Sequence, residues 1–271
     1  MADFTVCVLL YGNHTDLARR CLDSIITRLP PEQYQLRVGL NEVCPATRIY
    51  VHGLALTGRL DMRIYESSDN IHKYPLMRRM LHDPAAPLRT PYVIWFDDDS
   101  YLIGDYRNWL DLVRDQMARA VMIGGKYTMQ LAGNQYLWIR DQPWYTGRPV
   151  INPADKIPFI TGGWWTLRTE VLTKHDWPST ELDHRGGDVM LGALCRQQGY
   201  AMASFREGVA INADAQGHES KAPRRGFDSR PVGFDHDPGV MERVEAATRR
   251  PEPVVPVPQP APKRRRLELD I

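Results

Sequence analysis

Four short apolar runs constrain this chain more than any other feature. They cover residues 5–10, 36–40, 62–65 and 92–96; the first, second and fourth are rich in Val, Ile or Leu, and the third is Met-Arg-Ile-Tyr. Runs of that length, bounded by polar or glycine-containing segments, read as strands buried on both faces. Tyr11-Gly12-Asn13 follows the first as a loop. Beyond it, Leu17, Cys21, Leu22, Ile25 and Leu29 recur at helical spacing. That spacing predicts a helix over 15–29, capped by Thr15 or Asn13 and stopped by Pro30-Pro31. A strand–helix–strand order implies a parallel sheet with helices on its faces. The expected fold class is therefore α/β, with a mixed, mostly parallel central sheet flanked by helices.

The second half is less regular. Tyr106, Trp109, Leu110, Val113 and Met117 predict an amphipathic helix, and residues 121–123 and 201–205 predict strands. Residues 126–158 hold several Pro, Gly and aromatic residues without a period, which fits a hairpin or a long loop over a site. Residues 159–165 read as a strand and turn, and 188–197 as a helix. Between 251 and 262, proline alternates with Val, Gln, Ala and Glu, and Lys263-Arg264-Arg265-Arg266 follows. Such a stretch favours polyproline II over a packed core. The expected organisation is one domain over 1–245, with a disordered Pro-rich, basic tail over 246–271. Residues 1–100 would form its donor half and 101–245 its acceptor half.

With 271 residues, 43% of them hydrophobic, the chain can bury a sizeable core. Its formal net charge of +1 names no partner. The four cysteines form no CxxC pair and read as buried free thiols of a reducing compartment. The longest N-terminal apolar stretch, residues 6–10, is far short of the roughly 20 residues that span a bilayer. A soluble, cytoplasmic protein is expected.

Asp97-Asp98-Asp99 follows directly on the apolar run at 92–96. Parallel sheets bind ligands at the carboxyl ends of their strands. Strand alternation would point Asp97 and Asp99 one way and Asp98 the other. Adjacent carboxylates repel, and Mn²⁺ or Mg²⁺ would relieve that while sharing phosphate oxygens with a nucleotide. The competing reading is a turn with a helix cap. Thr161-Gly162-Gly163-Trp164-Trp165 sets two glycines before two indoles. Glycine admits a ligand to the backbone, and indoles stack on sugars and bases; a tight turn with core tryptophans is the alternative. In Arg185-Gly186-Gly187-Asp188, Asp188 is either an N-cap or a general base. His218, in a polar loop, can complete a metal shell or be merely solvated.

The order of these motifs resembles the GT-A glycosyltransferases. The N-terminal half is similar to the large inverting bacterial family, and Tyr92–Leu102, with Phe159–Trp165 and Gly187–Val189, is similar to Fringe-like β-1,3-glycosyltransferases; the resemblance spans residues 4–220 in all. The resemblance implies Asp97, Asp99 and His218 as ligands of a divalent cation, and Asp98 as a contact to the nucleotide-sugar. It implies Asp188 as catalytic base, and Tyr11, Gly12 and Asn13 as lining of the nucleotide pocket. Asn41 stands where many relatives carry an aspartate toward the base. Lys73 and Arg78 lie where relatives place diphosphate contacts. Gly162, Gly163, Trp164 and Trp165 would meet the acceptor.

The expected reaction is inverting transfer from a nucleotide-diphosphate sugar, such as UDP-glucose, to a hydroxyl. Arg224, Arg225 and Arg230, with the basic tail, can track phosphates, so a hydroxymethylated base flipped out of DNA is one acceptor. Glycan, lipid and protein acceptors are others. A metal-dependent nucleotidyltransferase competes, although no GxxxxGK phosphate loop is present. A non-catalytic sugar- or nucleic-acid-binding module is the third reading.

Overall fold

A seven-stranded sheet organises the chain, in the order β3-β2-β1-β4-β7-β6-β8. The structure, a computed structural model, describes residues 2–105, 108–130, 133–148, 156–184 and 186–213. The four apolar runs become β1 (Phe4–Tyr11), β2 (Tyr34–Asn41), β3 (Met62–Ser67) and β4 (Tyr92–Asp97), all mutually parallel. The later strands are β5 (Tyr101–Leu102), β6 (Met122–Gln130), β7 (Lys156–Arg168), β8 (Met202–Ser204) and β9 (Val209–Ala210). β7 runs against both β4 and β6, whereas β6 and β8 are parallel. β5 and β9 pair apart from the main sheet.

Both faces of the sheet are covered, because successive side chains of a strand point to opposite sides. Phe4, Val6, Val8 and Leu10 of β1 and Ile94 and Phe96 of β4 face one core. That core is closed by α1 (Thr15–Arg28), α2 (Pro45–Leu56) and α4 (Trp109–Met117). Cys7, Leu9, Val93 and Trp95 face the other, closed by α3 (Lys73–Leu81), α5 (Gly133–Arg140), α6 (Thr169–His175) and α7 (Gly187–Gln198). Among the described residues, no helix is long and apolar enough to cross a membrane.

Three local expectations change. Neither Thr15 nor Asn13 caps α1; His14 holds the N-cap position, and its side chain does not cap the helix. Residues 126–158 are partly regular: β6 extends to Gln130, α5 follows, and β6 and β7 pair as hairpin arms from Lys126↔Ile160 to Gln130↔Lys156. Gly162-Gly163 ends no strand, since β7 runs from Lys156 to Arg168, but the pairing with β6 is irregular there: Gly124 faces Trp165 and Lys126 faces Ile160, so the surplus residues of β7 include both glycines. The basic tail and the domain boundary at 245 lie outside the described residues.

Candidate active site

The aspartates sit where β4 leaves the sheet. The strand ends at Asp97, and the N–H of Ser100 donates to the Asp97 carbonyl at 3.0 Å, closing a turn. The chain thus bends at Asp98, and strand alternation no longer governs the carboxylates. Asp97, Asp98 and Asp99 all line one cleft of about 560 Å³, which corrects the expectation that Asp98 points away from its neighbours. Asp98 and Asp99 are largely buried.

Asp97 is held by two protein donors. Lys73 Nζ donates to its Oδ2 at 2.5 Å, and the indole N–H of Trp95, on the same strand face, donates to Oδ1 at 2.8 Å. Burial pushes the Asp97 carboxyl above its ordinary range, and the Lys73 ammonium opposes that push. Lys73 also donates to the Gly162 carbonyl at 2.9 Å, which ties α3 to β7. Among the described residues, no three His, Cys, Asp or Glu side chains converge as a metal-holding group. Lys73 and Trp95 each take one lone pair of an Asp97 oxygen and leave a second on each. Asp97 and Asp99 would hold a Mn²⁺ or Mg²⁺ ion as carboxylate ligands; His218, the third expected ligand, lies outside the described residues.

The floor of the same cleft is a polar network at the ends of β1, β2 and β3. Asn41 donates from Nδ2 to Asn70 Oδ1 at 3.0 Å and accepts the Ile71 N–H at 3.0 Å. Asn70 donates to the Tyr11 hydroxyl at 3.3 Å. The Tyr11 N–H donates to Asp98 Oδ2 at 3.4 Å, joining this network to the aspartates. Gly12 takes φ 63° in the turn after β1, a conformation that favours glycine. Asn13 is exposed beside it.

A second cleft, of about 820 Å³, opens on the other side of Lys73. Lys73, Asp97 and His184 line both clefts, so the two meet there. Asp188 lines the second, in the first turn of α7 and one residue past the helix start; the N-cap position belongs to Gly186 at φ 84°. Gly187 must stay small, because a Cβ there would lie 2.1 Å from Tyr74 Cζ. Gly163 is similarly constrained: its Cβ would lie 1.7 Å from Asn212 Oδ1. Asn212 lies just past β9, and the Ala213 N–H donates to the Asp99 carbonyl at 2.9 Å. The described chain therefore ends beside the aspartate turn.

The structure gathers Tyr11, Asn41, Lys73, Asp97, Asp98, Asp99, Gly162, Gly163 and Asp188 around these two clefts. Two expectations are corrected. Arg78 reaches away from both clefts: its guanidinium donates to the Asp176 carboxylate at 2.8 and 2.9 Å and to the Pro178 carbonyl at 2.8 Å. Trp164 and Trp165 are buried on opposite faces of the sheet. Trp165 stacks on Trp95 at 5.8 Å, and Trp164 packs against Trp109 at 5.9 Å, so neither indole is an acceptor platform. Arg224, Arg225 and Arg230 lie outside the described residues. Sequence reasoning passed over Asn70, His72, Tyr127, Gln135, His184 and Asn212, all of which line a cleft. The polar run Asn70-Ile71-His72 directly after β3 was a usable signal, since it too sits at a strand's carboxyl end.

No protein-family model and no curated protein matches the chain. Solved structures do. The mannosyltransferase PcManGT of Pyrobaculum calidifontis, in complex with GDP-Man and Mn²⁺, is similar with a TM-score of 0.54 at 16% identity; the match covers 75% of this chain and 54% of that one. S. aureus TarS 1-349 in complex with UDP-GlcNAc gives a TM-score of 0.47 at 13% identity, over 91% of this chain and 66% of that one. The chain thus spans between about half and two thirds of the length of these structures. The likeness to PcManGT shows the fold, which is of the GT-A glycosyltransferase type.

Proposed function

We propose that this protein is an inverting glycosyltransferase that moves a sugar from a nucleoside-diphosphate sugar to a hydroxyl acceptor. The carrying observation is the meeting of two clefts at Lys73, Asp97 and His184, with Asp188 in the second. Two substrates bound in adjoining clefts react at the shared boundary, and holding them there supplies much of the rate. The donor occupies the first cleft, its nucleoside against Tyr11, Asn41 and Asn70 and its sugar toward Asp98 and Asp99. Lys73 faces the diphosphate and stabilises the charge that develops as it departs. The acceptor enters beside Gly162, whose missing side chain leaves the backbone approachable, with Asn212 standing over Gly163.

Asp188 takes the acceptor proton. The acceptor oxygen forms its bond to the anomeric carbon as the bond to phosphate breaks, and the electron pair leaves with the nucleoside diphosphate. Attack from the side opposite the leaving group inverts the anomeric centre. Replacing Asp188 by Asn is expected to lower turnover by roughly 10²–10⁴-fold while donor binding persists. An Asp188→Asn variant that kept full transfer would remove Asp188 from this role.

The donor is identified with a panel of UDP- and GDP-sugars, read by thermal shift and by release of diphosphate. Release of a nucleoside diphosphate supports glycosyl transfer; release of pyrophosphate instead would establish the nucleotidyltransferase reading. Mn²⁺ or Mg²⁺ dependence is tested by chelation: activity lost in EDTA and restored by Mn²⁺ supports a divalent cation, for which Asp97, Asp99 and His218 are the expected ligands. For a DNA acceptor the described cleft offers less support, since Lys73 is the one Lys or Arg among its described lining residues. Retention on DNA that falls steeply with salt would favour that acceptor, and no retention at low salt would sink it.

A further inference from the structure

Asp188 is held on both oxygens. Its Oδ1 accepts the Val189 N–H at 2.9 Å, a contact inside the first turn of α7. Its Oδ2 accepts the Tyr127 hydroxyl at 2.6 Å, from β6. The Tyr127 ring leans on Phe159, with centroids 5.7 Å apart, and Phe159 is fully buried. The hydroxyl is thus fixed by core packing. Burial and the nearby Asp188 charge both push the Tyr127 phenol above its ordinary range, so it stays protonated and donates.

A carboxylate on a helix's first turn can rotate about two side-chain torsions. One bond from its own helix leaves the carboxylate plane poorly defined, and a second bond from another strand sets it. Each oxygen still has a lone pair beyond the one already engaged. Building on the reading of Asp188 as base, we propose that Tyr127 is a positioning residue, holding the Asp188 carboxylate so that a free lone pair faces the acceptor hydroxyl in the second cleft. Tyr127 keeps its own proton throughout. The acceptor proton passes to Asp188, and the Tyr127–Asp188 bond survives the step.

The test follows nucleoside diphosphate release from UDP-glucose, UDP-GlcNAc and GDP-mannose, with water and methyl glycosides as acceptors. It compares the parent protein, Asp188→Asn, Tyr127→Phe and the double variant. Tyr127→Phe keeps the ring, and is expected to lower kcat by roughly 10- to 100-fold while donor KM stays within about threefold. In the Asp188→Asn background the same change is expected to cost nothing further, because the two residues act as one unit. Phe159→Leu, which loosens the ring but keeps the hydroxyl, is expected to lower Tm and to cost less kcat than Tyr127→Phe. A parental kcat in Tyr127→Phe, a loss repeated in full without Asp188, or a larger kcat loss in Phe159→Leu than in Tyr127→Phe would each overturn the proposal alone. A parental rate in Asp188→Asn, or no diphosphate release from any donor by the parent, would overturn the base reading and this proposal with it.

Discussion

The two clefts are built from different kinds of strand, and their walls behave accordingly. The first is formed by the ends of four parallel strands, and its side chains are bonded mainly to one another. Tyr11, Asn41, Asn70 and Asp98 form one connected network there, and Asp97 is fixed by Lys73 and Trp95. The second is formed where β7 runs against β4 and meets α7, with Tyr127, Gln135, Thr161 and Asn212 arriving from separate elements. A parallel sheet presents all its strand ends on one edge. The reversed strand instead brings its own middle, Gly162 and Gly163, past that edge. The difference separates a preformed pocket for one ligand from an assembled one for another.

The comparison breaks most readily at the tryptophans. Trp164→Ala is expected to cost about 3–5 kcal/mol of stability, as removal of a buried indole does, measured by denaturant unfolding. A loss of acceptor affinity with unchanged stability would instead return Trp164 to the cleft. Lys73→Met follows. It leaves the Asp97 carboxylate with the Trp95 indole N–H and no ammonium beside it, at a cost of about 3 kcal/mol, and donor affinity falls in parallel. Unchanged donor affinity in that variant would separate Lys73 from the donor. Arg78→Ala, by contrast, is expected to cost no more than about 1 kcal/mol, because Asp176 is mostly exposed. Its donor affinity should match the parent's, and a lower one would put Arg78 back at the diphosphate.

The smallest effect concerns the cysteines. Cys7, Cys21 and Cys195 are buried, and burial raises their thiols. Cys44 is only half-buried; its partial burial acts to raise the thiol, but hydrogen bonds from Thr15 and Thr47 outweigh that and lower it to about 7. Iodoacetamide at pH 8 is expected to label Cys44 first, and more slowly as pH falls below 7, because the thiolate is the nucleophile. Equal labelling of Cys7 would contradict the closed core of the parallel half.

What the sequence made legible follows the same division. β1 to β4 and the aspartates were readable because apolar runs bounded by polar residues leave few alternatives. Lys73 came only through the resemblance, which singled out Arg78 equally and did not separate the two. Trp164 and Trp165 were not, because consecutive aromatics in a strand covered on both faces go to opposite cores, and a sequence does not say that both faces are covered. Gly162-Gly163 looked like a turn, yet it lies within β7 where the pairing with β6 is irregular, and Gly163 is crowded by Asn212. Tyr127 carried no signal at all, because its partner stands 61 positions away.

The hairpin formed by β6 and β7 has one more consequence. Its arms pair from Lys126↔Ile160 outward, and α5 is carried between them, bringing Gln135 to the second cleft. An exchange of that excursion would remodel one wall of the second cleft, while Tyr11 and Asn41 sit on strands it does not touch and Asn70 in the loop after β3. The excursion is thus separable from the first cleft: a change in it alters one wall of the second and leaves the other pocket's network in place.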